Sequence, residues 1–176
     1  MKEILTTERL LIRQFGPDDW PEVFAMNSSA AVMHSIASGR IRPLEEEKAS
    51  FARILANYQK GDGLGVWAVL LREGSQFIGA GSMTALEDTG EIQLGYRFKE
   101  QYWGQGYATE VAKALVDYGF RQLGLTRIVA TANLTNEASK RVLEKTGLRW
   151  EKRAYFYDWD VNYYSIETNE FFNEAI

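Results

Sequence analysis

Residues 104–110, Gly-Gln-Gly-Tyr-Ala-Thr-Glu, hold the first chemistry this chain offers. They join a strand-like stretch to a helix-like one. At a helix start the first backbone N–H groups lack intrahelical partners, and the helix dipole favours negative charge. Such a place suits a phosphate or pyrophosphate. Gly104 and Gly106 permit backbone angles closed to other residues and let a ligand approach closely. Ala108 keeps the next turn small. A phosphate loop of the triphosphatase kind needs Lys-Ser/Thr after its last glycine, but Gly106 is followed by Tyr107-Ala108. A dinucleotide fingerprint needs Gly or Ala where Thr109 stands. The plain alternative is a tight turn that caps a packed helix.

Other chemistries are excluded by what is missing. There is no cysteine and only one histidine, His34. That leaves no thiolate nucleophile, no disulfide and no Cys/His metal site. A Ser-His-Asp triad would have to pass through His34, which sits in a small, polar segment and reads as surface or substrate rim. The formal charge of -4 is local, because Ala154–Ile176 carries five acids (Asp158, Asp160, Glu167, Glu170, Glu174) and no Lys or Arg. No long basic block points to DNA or RNA. No apolar run reaches the ~18 residues of a membrane span. Met1–Arg9 lacks the apolar segment of a signal peptide, so a cytoplasmic protein is expected. With 45% apolar and 25% charged residues in 176, wholesale disorder is excluded and a single domain over 1–176 is expected.

The elements that must position the loop follow from periodicity. Glu91–Phe98 alternates, with Ile92, Leu94, Tyr96 and Phe98 on one side and Glu91, Gln93, Gly95 and Arg97 on the other, which predicts a strand with a polar second face. Tyr107–Leu123 predicts a helix on the stripe Ala108, Val111, Ala112, Leu115, Tyr118. Arg127–Asn133 predicts a strand, and Asn136–Thr146 a short helix capped by Asn136 and ended by Gly147. Upstream, Arg9–Phe15 predicts a strand, Asp18-Asp19-Trp20-Pro21 a helix start, and Leu44–Lys60 a helix. Val66–Leu71 and Gln76–Thr84 predict a hairpin. Leu148–Phe172 predicts two aromatic-rich strands around Asp158–Asn162. Seven strands and four helices in this order describe a mixed α+β domain.

Three segments in order resemble the GNAT superfamily of acetyl-CoA-dependent N-acetyltransferases, and more narrowly its RimJ/RimL-type branch. They are Thr7-Glu8-Arg9-Leu10-Leu11-Ile12-Arg13, Tyr102-Trp103-Gly104-Gln105-Gly106-Tyr107-Ala108-Thr109-Glu110, and Asn136 through Gly147-Leu148. The resemblance spans nearly the whole chain. It implies a central, mostly antiparallel twisted sheet of about seven strands flanked by about four helices. Acetyl-CoA would lie where the Glu91–Phe98 and Arg127–Asn133 strands splay apart. Two departures stand out. The superfamily loop generally opens on Gln or Arg, where Trp103 stands here, leaving backbone amides to hold the pyrophosphate. (Gln101-x-x-Gly104-x-Gly106 also fits, two residues early.) Many members carry a tyrosine acid at the position of Leu143, which gives no proton.

The resemblance implies transfer of acetyl from a thioester to a primary amine, either a protein N-terminus, including a ribosomal one, or a small amine or amino acid. Glu91 is the candidate base, against a solvated strand-end carboxylate, with Glu110 the alternative. Ser139 is the candidate proton donor to the leaving thiolate. Backbone groups of Tyr96, Arg97 and Phe98 would hold the pantetheine arm, and an N–H near Leu94–Tyr96 the oxyanion. Trp103, Gly104, Gln105, Gly106, Tyr107, Ala108 and Thr109 would form the pyrophosphate loop. Asn136, Ser139 and Arg141 would be cofactor neighbours, Asn136 also serving as a cap and Arg141 reading equally as solvated. Gly95 reads as a packing or bulge glycine. The segment Asn27–Gly39 and some terminal aromatics would line the acceptor pocket. The aromatic surface leaves room for a homodimer. A non-catalytic acyl-CoA sensor and a generic nucleotide-binding domain are the rival readings.

Overall fold

The computed structural model describes residues 1–34, 36 and 39–173. Eight strands form one sheet: β1 (Glu3–Thr6), β2 (Leu10–Gln14), β3 (Gly65–Leu71), β4 (Phe77–Ala85), β5 (Ile92–Phe98), β6 (Arg127–Asn133), β7 (Arg149–Phe156) and β8 (Trp159–Glu167). Their spatial order is β1-β2-β3-β4-β5-β6-β8-β7. Every neighbouring pair is antiparallel except β5 and β6, which run parallel. The α-helices are α1 (Trp20–Asn27), α2 (Ala30–His34), α3 (Leu44–Asn57), α4 (Tyr107–Arg121), α5 (Glu137–Lys145) and α6 (Thr168–Asn173).

The periodic elements lie where alternation and stripe place them. The short ones differ from expectation. β1 is four residues long, too short to show a period, and it is held by pairing with β2 and by Gln14 N–H donating to the Lys2 carbonyl at 2.8 Å. The last expected strand ends five residues early. At Thr168 the chain turns into α6, whose Phe171 ring packs on Phe120 at 5.0 Å. The β7–β8 turn falls on Tyr157-Asp158, both at positive φ (55° and 65°), at the start of the expected 158–162 turn.

Each face of the sheet has its own core, because side chains alternate along a strand. On the first face, Leu94 and Phe98 of β5 pack with Val111, Ala112 and Leu115 of α4 and Leu143 of α5. On the second face, Val23 and Met26 of α1 and Phe51 of α3 pack over Ala68, Leu70, Phe77 and Ala80. Over β5 and β6 the second face carries only a small cluster of Leu86, Val129 and Tyr163. The β7–β8 hairpin residues Ala154, Phe156 and Tyr157 close it.

Candidate active site

β5 and β6 share a single register pair, Gln93 opposite Val129. Past that point β5 stays bonded to β4 as far as Phe98 opposite Gly79, while β6 stays bonded to β8 as far as Asn133 opposite Val161. The two strands therefore diverge, and the edges that face each other carry backbone groups with no strand partner. Unpaired strand edges bind an extended ligand by main-chain hydrogen bonds. The expected splay is present.

The loop at the mouth of the splay leaves the start of a helix uncapped. Gly104 and Gly106 have φ of 73° and 84°, left-handed values at which a side chain is strained. Gly106 is the N-cap of α4, and no side chain caps that end. The first amides of α4 are left to solvent or a ligand. The loop is tied down from four sides. Trp103, 45% exposed, donates its Nε1–H to the Phe98 carbonyl at 2.8 Å, fastening the loop to the end of β5. Gln105 Nε2 donates to the Gln101 carbonyl at 2.8 Å. Arg9 Nη1 donates to the Gln105 carbonyl at 3.0 Å. The Arg9 guanidinium also lies over the Tyr107 ring, 4.5 Å from its centre.

Glu110, the alternative base, is the anchor of that fastening. Its carboxylate accepts from Thr7 Oγ1 at 2.5 Å, Arg9 N at 3.0 Å and Arg9 Nε at 2.6 Å. Burial alone would raise its pKa. The hydrogen bonds from Thr7 and Arg9 outweigh burial and hold it below the usual carboxylate value. A carboxylate held this firmly ionised is a poor base.

On the first face Tyr96 reaches across the splay to α5. Its hydroxyl lies 3.0 Å from Ser139 Oγ and 3.3 Å from the Ser139 carbonyl. Burial pushes the Tyr96 pKa up to about 12, so it stays protonated. Asn136 caps α5 by accepting from Ser139 N at 3.0 Å. Leu143 is 1% exposed within the core. Arg141 is exposed, and Lys140 pairs with Glu137 at 2.5 Å.

On the second face lie Gln93, Gly95 and Arg97, in register with Thr84, Ser82 and Ala80 of β4. The β4–β5 register is unbroken at Gly95, so that glycine is a close-approach residue and not a bulge; a Cβ there would stand 2.5 Å from Ser82 Oγ. The Gln93 amide bonds the Tyr157 hydroxyl. Arg97 turns its side chain away from the splay to Asn27, donating to Oδ1 at 2.6 Å, so only its backbone is available to the cleft. Glu91 is about 13 Å along the strand from Gly95, at ~3.3 Å per residue. Both its oxygens are engaged, by Arg127 Nε at 3.1 Å and by the Tyr163 hydroxyl at 2.5 Å. Arg127 also binds Glu151 at 2.7 Å and Glu167.

Residues 9–149 match the family described as an acetyltransferase (GNAT) domain. The chain belongs to the GNAT acetyltransferases. The curated Bacillus subtilis relative named uncharacterized N-acetyltransferase YnaD is 34% identical over 174 residues, 94% of this chain and 98% of that one. A GNAT-family acetyltransferase from Bacillus anthracis has a similar crystal structure, with a TM-score of 0.80 at 30% identity, covering 94% of this chain and 98% of that one. RimL, a ribosomal L7/L12 alpha-N-protein acetyltransferase solved with coenzyme A, shares the fold at a TM-score of 0.78 and 20% identity. That match covers 94% of this chain and 98% of RimL. This GNAT domain is therefore an acetyl-CoA-dependent N-acyltransferase with a RimL-like fold.

Several site residues were not assigned from the sequence. Arg9 stood only inside the opening-strand resemblance, Asn27 only at the edge of the expected acceptor segment, and Gln93 and Glu47 looked ordinary. Their partners lie up to 101 residues away, as with Arg9 and Glu110. His34 ends α2 and is exposed. Of the expected acceptor segment Asn27–Gly39, Ser35, Ala37 and Ser38 lie outside the described residues, as does Glu174 of the acidic tail. Among the described residues no group of three His, Cys, Asp or Glu could hold a metal, and no helix is long and apolar enough to cross a membrane. A hollow of about 700 Å³ lined by Thr7, Glu110, Lys113, Lys145 and Phe171 is a different place from the splay.

Proposed function

We propose that this acetyltransferase moves acetyl directly to a primary amine within a ternary complex. The observation that carries the reading is the β5–β6 splay leading onto the uncapped N-terminus of α4. The facing edges of Tyr96–Phe98 suit a pantetheine arm, and the Gly104–Thr109 amides a pyrophosphate. Asn136 and Arg141, on the α5 side, border the same arm. Acetyl-CoA supplies the activated acyl group and leaves as a thiol.

The chain's own tasks are to orient the amine, remove its proton and return one to the sulfur. Helices α4 and α5 close the first face, so the amine enters over the second face, past Gln93 and Gly95. Glu91 is the carboxylate on that face of the strand. It receives the proton through water, because its own oxygens are held by Arg127 and Tyr163. A backbone N–H near Leu94–Tyr96 stabilises the carbonyl oxygen as charge develops. The Tyr96–Ser139 hydroxyl pair donates to the departing sulfur. A thiol titrates near ~8.5, so it leaves with little help and a neutral hydroxyl pair is enough.

Calorimetric titration with acetyl-CoA, coenzyme A and ATP, followed by thiol release with pooled amines and N-terminal peptides, tests the reading. Binding of both coenzyme A species but not ATP, with amine-dependent thiol release, is the expected result. Binding without release from any pool would favour the sensor reading. No coenzyme A binding by folded protein would overturn both.

A further inference from the structure

We propose that Ser82 of β4 holds the acceptor amine: its hydroxyl accepts a hydrogen bond from the incoming nitrogen and so aims the lone pair at the acyl carbon. The inference rests on the acetyltransferase reading and adds to it a positioning residue from outside β5 and the glycine loop.

The second face of the sheet is covered in two places and open between them. Helices α1 and α3 cover Ala68 and Ala80. The β7–β8 hairpin closes over Leu86 and Val129. Between those clusters Val66, Ser82, Thr84, Gln93 and Gly95 are half-buried. By register Val66, Ser82 and Gly95 form one row across β3, β4 and β5, with neighbouring strands ~4.8 Å apart. This row is the floor over which the amine enters in the proposed reaction. The polar groups of β5 on this face are committed: Arg97 to Asn27, Gln93 to Tyr157, and Glu91 to Arg127 and Tyr163. Among the described residues, the hydroxyls of Ser82 and Thr84 make no hydrogen bond to the protein.

Of the two, Ser82 is placed at the splay. A Cβ built on Gly95 would stand 2.5 Å from Ser82 Oγ but 3.9 Å from Ser82 Cβ. The hydroxyl therefore leans across the strand gap and lies over Gly95, which has no side chain to oppose it. Gly95 is two residues past the single β5–β6 pair, where the strands part. Thr84 faces Gln93 instead, about 7 Å along the strand. A half-buried hydroxyl without a partner adds little to folding, but its oxygen can accept an N–H. No base touches this hydroxyl, so it orients the amine and takes no proton. The amine arrives as an ammonium, and one proton leaves through water, past Gln93, to Glu91. The freed lone pair forms the C–N bond, and the C–S bond breaks with its electrons on sulfur. The nitrogen then loses a second proton to solvent, which balances the one that sulfur takes through the Tyr96–Ser139 pair.

The test has two arms. In the first, amine-dependent thiol release from the pooled amines and N-terminal peptides is compared for wild type, Ser82→Ala and Thr84→Val. Ser82→Ala should lower kcat/KM for the amine about tenfold, with the acetyl-CoA KM and the Tm unchanged. Thr84→Val should change kcat/KM by no more than about twofold. The second arm needs no acceptor, and it decides alone if no pool is active. The chain has no cysteine, so Ser82→Cys and Thr84→Cys each introduce its sole thiol. The introduced thiolate attacks the acetyl carbonyl, the bond from acetyl carbon to the coenzyme A sulfur breaks, and coenzyme A leaves as the free thiol. Intact-mass measurement after mixing with acetyl-CoA should show Ser82→Cys gaining one acetyl group at least about tenfold faster than Thr84→Cys, because proximity governs the rate. Wild type should gain none. Equal acetylation of the two cysteine variants, acetylation of neither, or an unchanged amine kcat/KM in Ser82→Ala would overturn the proposal. So would acetyl on Ser82 of the wild type, which would make it a nucleophile. Coenzyme A binding is measured in the same samples. Protein that binds coenzyme A and fails these tests overturns the role of Ser82 alone, and folded protein that does not bind it overturns the transferase reading as well.

Discussion

Replacing Glu110 by Gln separates a positioning carboxylate from a catalytic one. The substitution keeps the shape but removes the charge from three donors, Thr7 Oγ1, Arg9 N and the Arg9 guanidinium. Hydrogen bonds to charged groups contribute ~1.5–3 kcal/mol each when well shielded. The Glu110 side chain is 17% exposed but Arg9 is 43% exposed, so screening reduces the guanidinium share. A net loss of about 2 kcal/mol is expected, which lowers Tm by roughly 4–8 °C for a chain of this size. Because Arg9 also holds the Gln105 carbonyl, the loop should loosen, with a several-fold rise in the acetyl-CoA KM and little change in kcat at saturation. The sign of the pH dependence follows from the lowered folded pKa of Glu110. Its stabilisation is fully present above the unfolded value of about 4.3 and is lost as pH falls through the folded value. The Tm gap between wild type and Glu110→Gln, followed by calorimetry from pH 7 to pH 3, should close only below about pH 4.3. A constant gap would refute the reasoning. A kcat collapse with unchanged KM would instead make Glu110 the base.

Tyr96→Phe and Ser139→Ala should each lower kcat by about tenfold or less, since the leaving thiol needs little assistance. With Tyr96 titrating at about 12, stopped-flow thiol release should show no alkaline limb between pH 8 and 10 that Tyr96→Phe removes. Trp103→Phe deletes the bond to the Phe98 carbonyl, at ~0.5–1.5 kcal/mol; titration calorimetry should read it as an acetyl-CoA affinity weaker by about two- to tenfold. Arg127→Met leaves Glu91, Glu151 and Glu167 without their shared cation, costing about 1–3 kcal/mol in denaturant unfolding. Ser165 and then Arg127 hold the Glu151 pKa down, so the difference from wild type should shrink as pH falls below the carboxylate range.

Long periodic elements were legible because their neighbours in sequence are their neighbours in the pattern. The alternation of β5 placed Leu94 and Phe98 in the first core and Gln93, Gly95 and Arg97 on the opposite face. β1 and α6 were not legible, because four and six residues carry no period and both depend on distant contacts. The same division runs through the site. The glycine loop is contiguous, and its left-handed angles follow from residue type. Glu91 reads from the sequence as a free carboxylate on a polar face, and only folding brings Arg127 and Tyr163 to it. Arg97 reads as one more residue of the cofactor strand, and only packing of α1 and α3 turns its side chain to Asn27.

In the proposed mechanism Leu143 supplies no acid. A tyrosine at that place would lie in the core, where leucine is 1% exposed among apolar neighbours. Here the inner side of α5 is spent on packing, and in the proposed mechanism the hydroxyls come from its first turn and from the facing strand. Ser139 follows the Asn136 cap by three residues, and the cap bond to Ser139 N fixes its position. Tyr96 meets it from β5, past the last pairing of β5 with β6. Neither hydroxyl is a strong acid, and burial makes Tyr96 a weaker one. A departing thiolate of ordinary pKa asks only for a hydrogen bond, which a neutral hydroxyl gives at every physiological pH. The demanding steps are then the placement of the acyl carbon and the amine. That placement is why the chain commits Arg9, Trp103, Gln105 and Glu110 to holding one loop still.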